Sequence, residues 1–306
     1  MAHTESVSES RPVVVGVDES DSARDAALWA ADLAALWGAP LCLTHAVNRA
    51  GTVASSTPSW LRELGAAAER AGATPTTTEV RYGPATHQLL ARSRGARLLA
   101  LGSYGDVGWS GMLAGSTALP LVAECECPLV VVRGHHPGVP PPRRGPVVVG
   151  VDETDAGAQA LEFAARLADI GEHRHLVVVH TYSDLVRDLA GHPHRIDAEP
   201  AELGRRGAEL LDRRLRPVLR QRPELRVQQH ILPDTPLRAL LDHARQAWLV
   251  VVGQRRTESL TEPPVGSTSR GLIEFAPCPV TVIPPARTRT SPDPGAAGRE
   301  PAGTPR

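Results

Sequence analysis

Short, solidly apolar runs alternate along this chain with longer amphipathic ones. Val13-Val14-Val15-Gly16-Val17 is a continuous β-branched run, suited to a strand buried on both faces. It stops at Asp18-Glu19-Ser20. Ser22, with Asp25 three residues later, predicts a capping box, and Ala26, Ala27, Leu28, Trp29, Ala30, Leu33 and Leu36 carry a helix to about Trp37. Gly38-Ala39-Pro40 breaks it. Leu41 to Val47 reads as a second strand, Trp60 to Ala71 as a helix and Thr76 to Tyr82 as a third strand. Gly83-Pro84 opens a helix to about Arg94, with proline in the first turn, where its missing N–H costs little. Leu98 to Leu101 is then a buried strand that stops at Gly102. A glycine-rich loop, a Gly115-Ser116-Thr117 helix start and a final strand from Leu129 to Val132 complete the unit. Apolar strands alternating with helices predict an α/β fold with a doubly wound parallel sheet.

The pattern then begins again. Val147-Val148-Val149-Gly150-Val151-Asp152-Glu153 repeats Val13 to Glu19 nearly letter for letter, Gly150 standing 134 positions after Gly16 (150 − 16). Leu176 to Thr181 matches the second strand, with His180 where His45 fell. Leu249 to Gly253 matches the fourth strand, and Cys278-Pro279-Val280 matches Cys127-Pro128-Leu129, both at an offset of 151 (253 − 102 and 278 − 127). The offset grows by 17 (151 − 134), an insertion placed mostly around an arginine-rich helix from about Glu202 to Arg222. The chain therefore divides into a disordered N-terminus (1–11), a first α/β domain (12–133), a proline-rich, semi-rigid linker (134–146), a second domain (147–284) and a disordered tail (285–306).

Composition narrows the chemistry. The formal net charge of −1 leaves no electrostatic footprint for nucleic acid or an anionic membrane. No apolar run approaches the roughly 20 residues that span a bilayer, and Met1-Ala2-His3-Thr4-Glu5 lacks the basic and apolar regions of a signal peptide. Four cysteines are too few for a disulfide framework, so a cytoplasmic location is expected. All 33 basic residues are arginine. With no lysine, a P-loop lysine, a kinase strand lysine and Schiff-base chemistry are excluded.

In an open parallel sheet, ligands bind outside the carboxyl ends of the strands, where the strand order reverses. If the first and fourth strands are neighbours there, one crevice contains Asp18 and the glycine loop. Loop N–H groups and the Gly115-Ser116-Thr117 helix start would receive phosphate. Asp18 would accept from ribose hydroxyls or an adenine amine; its alternative role is to cap the turn before the first helix.

Val-Gly-Val-Asp after a first strand, Gly-x2-Gly-x9-Gly-Ser/Thr after a fourth, and Cys-Pro-Leu-Val-Val-Val at the close resemble the universal stress protein family, over about 13–133 and 147–284. The resemblance implies two tandem five-stranded sheets of order 3-2-1-4-5 with helices on both faces. It also implies pairing of the two domains within the chain or between copies. It implies ATP, with or without Mg2+, as the ligand of those members that keep the glycine motif. Gly16, Val17, Asp18 and Ala46 would then face adenosine, and Gly102, Ser103, Gly105, Gly115, Ser116 and Thr117 the phosphates. A weaker second site would use Val151, Asp152, Gly253, Gly266, Ser267 and Thr268, with Arg256 where the middle glycine should be. A side chain at that position costs about 1 kcal/mol or more if the backbone needs a positive φ. Arg255 and Arg256 could instead bring charge to a phosphate.

Other constellations are bland. His135-His136, His173, His175, His192 and His194 lack the carboxylate or cysteine spacing of a metal site. Cys125-x-Cys127 is too close for a zinc knuckle, Cys42 is a core candidate, and no nucleophile elbow is present. The sequence is read as a non-catalytic, ATP-binding stress-response regulator. Its alternatives are a nucleotide-independent interaction module, with the arginine-rich helix as a partner surface, and a slow ATPase.

Overall fold

The computed structural model describes residues 11–48, 57–104, 117–136, 138–170, 175–183, 185–187, 193–195, 199–255 and 264–285. The first half runs β1 (Val13–Gly16), α1 (Asp21–Trp37), β2 (Leu41–Val47), α2 (Ser59–Arg70), β3 (Thr76–Tyr82), α3 (Ala85–Ser93), β4 (Leu98–Gly102), α4 (Ala118–Glu124) and β5 (Leu129–Val132). The second runs β6 (Val147–Gly150), α5 (Asp155–Asp169), β7 (Leu176–Thr181), β8 (Leu185–Arg187), β9 (Pro193–Arg195), α6 (Pro200–Gln221), β10 (Val227–Leu232), α7 (Pro236–Ala244), β11 (Leu249–Gly253), α8 (Ser267–Phe275) and β12 (Val280–Ile283). The insertion in the second half thus holds an antiparallel β8–β9 hairpin as well as the long helix α6.

Each half is a parallel sheet of order 3-2-1-4-5: β3-β2-β1-β4-β5 and β10-β7-β6-β11-β12. The inner strands β1, β4, β6 and β11 are apolar on both faces because helices cover both. Val13 and Val15 pack toward α1 and α2, while Val14 packs toward α3 and α4, and the second half repeats this with α5 and α6 against α7 and α8. The two sheets are continuous. β5 and β12 pair antiparallel, Val131 with Val280, Val130 with Thr281 and Leu129 with Val282. Val130 and Thr281 are repeat counterparts and face each other, so the two-fold relation between the halves passes through that pair. Both apolar layers cross this seam without interruption.

Aromatic contacts tie the halves on the α1/α5 side. Trp29 of α1 stacks on Trp248 at 5.4 Å, and Trp37 meets Phe163 of α5 edge-on at 6.4 Å. Arg97, the repeat counterpart of Trp248, lies over the Trp37 ring at 4.3 Å. Arg133, at the end of β5, donates to the carbonyls of Ile273 and Glu274 in the last turn of α8, where carbonyls have no partner within the helix.

One sequence expectation is corrected. The N-cap of α1 is Ser20, whose Oγ accepts from the Ala23 N–H at 3.1 Å, and not Ser22. Ser22 lies in the first turn, where its hydroxyl is released for a contact across the sheet.

Candidate functional site

β1 and β4 are neighbours, Gly16 lying beside Leu101, so the strand order reverses where the sequence expected it. Gly16 ends β1 and packs between Leu89 and Leu101, leaving no room for a side chain. Val17 follows, its N–H bonded to the Thr44 carbonyl at 3.0 Å. Asp18 comes next, at the mouth. Ala46 stands near the end of β2, and Gly102 and Ser103 lie at the end of β4. Thr117 is the N-cap of α4, so the helix itself begins one residue later than the glycine motif implied. Gly105, Gly115 and Ser116 lie outside the described residues.

Two hydroxyls join the β1 and β4 loops. Ser20 donates to Asp18 Oδ1 at 2.5 Å and also lies 3.4 Å from the Tyr104 carbonyl. Ser22 Oγ accepts from the Ser103 N–H at 2.8 Å and the Tyr104 N–H at 3.4 Å. Gly102 lies under the first turn of α1: a Cβ there would sit 2.7 Å from the Ser22 carbonyl carbon. His45 Nδ1 donates to the Val17 carbonyl at 2.9 Å, and its ring rests edge-on against Trp60 at 4.9 Å, fixing the peptide that carries Asp18.

The second half keeps the frame and changes the contents. Asp152 follows β6 and accepts from the Thr154 N–H at 3.0 Å and from its hydroxyl; Thr154 is also the N-cap of α5. His180 Nδ1 donates to the Val151 carbonyl at 2.8 Å, as His45 does to Val17. Gly253 packs onto the backbone of Ala156 as Gly102 packs onto Ser22. Ala156, however, has no hydroxyl to offer the loop. The second loop is tied by charge: Arg255, the counterpart of Tyr104, pairs with Asp152 Oδ2 at 2.8 Å. Burial alone would raise the Asp152 carboxyl, but the Thr154 hydrogen bonds and the Arg255 guanidinium outweigh it and hold the group below its ordinary range. Gln254 is buried and donates to the Pro264 carbonyl at 3.1 Å. Arg214 of α6 adds bonds to the Glu153 and Thr154 carbonyls. Gly266 is the N-cap of α8, with Ser267 and Thr268 as its first residues; Arg256 lies outside the described residues.

Arg255 therefore serves an internal carboxylate, where the sequence offered it to a phosphate. Ser22, His45 and His180 hold the site's loops, a role that no motif in the sequence assigns them. The repeat did mark the two histidines, which recur at one place in both halves.

Among the described residues no three His, Cys, Asp or Glu side chains converge as a metal site, and no helix is long and apolar enough to cross a membrane.

A tandem, doubly wound α/β protein with a crevice at each β1/β4-type reversal is the class that fold and site define. A sequence profile described as the Universal stress protein family matches residues 9–133 and 144–284, and the chain belongs to that family of stress-response proteins. It is similar to Universal stress protein Rv2623 of Mycobacterium tuberculosis, 30% identical over 292 residues, covering 88% of this chain and 95% of the relative. Universal stress protein Rv2005c of the same organism is 31% identical over 294 residues, covering 88% and 96%. The crystal structure of a universal stress protein from Archaeoglobus fulgidus superposes with a TM-score of 0.64 at 19% identity, over 89% of this chain and 98% of that one, which establishes the shared fold.

Proposed function

We propose that the first half, residues 12–133, holds ATP in the crevice outside β1 and β4, as a binding and not a catalytic event, while the second half, 147–284, is the weaker site. The observation that supports this reading is the contrast between the two carboxylates. Asp152 is neutralised by Arg255 at 2.8 Å, whereas among the described residues no cation pairs with Asp18. Asp18 is oriented through Oδ1 by Ser20, which leaves Oδ2 for ribose hydroxyls or the adenine amine. Gly16, Val17 and Ala46 line the adenosine side in this reading. Gly102, Ser103, Gly105, Gly115, Ser116 and Thr117 belong to the phosphate side. The Gly-x2-Gly-x9-Gly spacing stays complete in this half and is broken at Arg256 in the other. Bound nucleotide would act as a signal or stabiliser read by a partner, and the halves pair within the chain.

Thermal denaturation of the full chain with millimolar ATP tests this, because a ligand that binds only the folded state raises the midpoint. The wild type and Asp152→Ala should shift upward with ATP. Asp18→Ala and Gly115→Arg, each compared with its own nucleotide-free midpoint, should not. A wild type that does not shift, or an Asp18→Ala variant that shifts fully, overturns the reading.

A further inference from the structure

The short link between α4 and β5 carries two cysteines, and the nucleotide crevice makes no use of them. Cys125 is the C-cap of α4 and Cys127 lies two residues on, directly before Pro128 and β5. Both are free thiols, 7% and 5% exposed, and their sulfurs stand 3.7 Å apart, in van der Waals contact. Ser93 of α3 accepts from the Glu126 N–H between them at 3.4 Å, which helps hold the bend that brings the two side chains together.

The repeat supplies a control. Cys127 has a counterpart, Cys278, before β12, but the position matching Cys125 is Ala276 (276 − 151 = 125), which also caps its helix. Cys278 is therefore a solitary thiol in the same frame, and burial pushes it up to about 12, leaving it unreactive. Cys125 differs. Its contact with the Cys127 side chain is the largest influence on it; burial opposes this, Ser93 adds to it, and the Cys125 thiol is lowered from its ordinary value. The same contact and burial push Cys127 upward. Two sulfurs in contact that share one hydrogen favour a thiolate beside a thiol, the complementary states that a nucleophile and its resolving partner require.

We propose that Cys125 and Cys127 are a peroxide-oxidisable dithiol, a modification site that the second half lacks. The Cys125 sulfur attacks one oxygen of hydrogen peroxide, the O–O bond breaks, and the departing hydroxide takes a proton to become water. Cys125 is left as a sulfenic acid. The Cys127 sulfur then attacks the Cys125 sulfur, and the sulfenic hydroxyl leaves with the Cys127 proton as a second water. Two thiols are oxidised by two electrons to one disulfide as one peroxide is reduced to two waters. Bond formation draws the sulfurs from 3.7 Å to about 2 Å. That movement strains the joint between α4, whose N-cap is Thr117, and β5, the strand at the seam of the ten-stranded sheet. The site stands independently of the nucleotide reading.

The absence of lysine makes the test direct. Trypsin cuts this chain only at arginine, so residues 98–133 form one peptide whose only cysteines are Cys125 and Cys127, and Cys278 falls in a separate peptide, 271–287. The native full chain is treated with hydrogen peroxide, quenched by alkylation in denaturant, digested and weighed. Peptide 98–133 should escape alkylation and lose two hydrogens, reversibly with dithiothreitol, while peptide 271–287 remains alkylated. Cys125→Ser should abolish the loss, and Ala276→Cys should transfer it to peptide 271–287. The proposal is overturned if peptide 98–133 remains fully alkylated, if its cysteines only gain oxygen, or if it oxidises no faster than Cys278.

Discussion

Asp18 and Asp152 stand at the same point of the two halves, directly after the first strand, and each accepts from a hydroxyl two residues on. Beyond that they diverge. In the first half the loops are joined by neutral hydroxyls, Ser20 and Ser22, and among the described residues only Oδ1 of Asp18 is engaged. In the second, Ser22 has become Ala156 and Tyr104 has become Arg255, so the loop is held by an ion pair that uses the carboxylate itself. The frame glycines Gly102 and Gly253 survive in both because each lies under helix backbone, whatever the crevice holds. The two shared glycines thus report packing, and the residues that differ report how each loop is tied.

Gly102→Ala and Gly253→Ala test the shared frame and should have the largest effects. In each, the new Cβ meets backbone of the facing helix turn, which cannot swing aside as a side chain could. Each should lower stability in denaturant by about 3 kcal/mol, the upper range for overpacking, and by similar amounts. A cost confined to Gly102→Ala would mean that the loop, and not the helix packing, sets that glycine.

Thr281→Val tests the seam. The Thr281 hydroxyl is fully buried and, among the described residues, has no hydrogen-bond partner; it lies opposite its counterpart Val130. Removing an unsatisfied polar group while keeping the shape should stabilise by about 1 kcal/mol, seen as a higher denaturant midpoint at unchanged slope. Val130→Thr should do the reverse.

The smallest effect concerns the ion pair. Arg255 is 72% exposed, so solvent screens the pair and its worth should be below about 1 kcal/mol. Because the folded-state Asp152 carboxyl is held below its ordinary range, its contribution is present at neutral pH and is lost as pH falls through that lowered value. Asp152→Asn should therefore be less stable than wild type at neutral pH, and the two should converge in acid. Asp18→Asn should show no matching loss if the two carboxylates are as different as their contacts.

Most elements were legible because their cause is local. β2, β5, β7 and β11 coincide with largely apolar runs bounded by glycine, proline or polar residues, and β3 with a threonine-rich run that favours extended backbone. The α1 cap was placed two residues late: Ser20 and Ser22 both suit a cap, and only the β4 loop across the sheet claims the second hydroxyl. The β8–β9 hairpin escaped notice in a stretch without the solid apolar runs that mark the sheet strands.

The sequence by itself determined the α/β alternation, the tandem repeat and the residue types of both crevices, since hydrophobic period and glycine spacing act over a few neighbours. Only the tertiary structure decided that β5 and β12 join two sheets into one, that Trp29 stacks on Trp248, and that Arg255 turns inward to Asp152. Strand pairing, ring stacking and ion pairing bring together residues more than 100 positions apart, and no local pattern encodes which distant partner satisfies a strand edge, a ring or a charge.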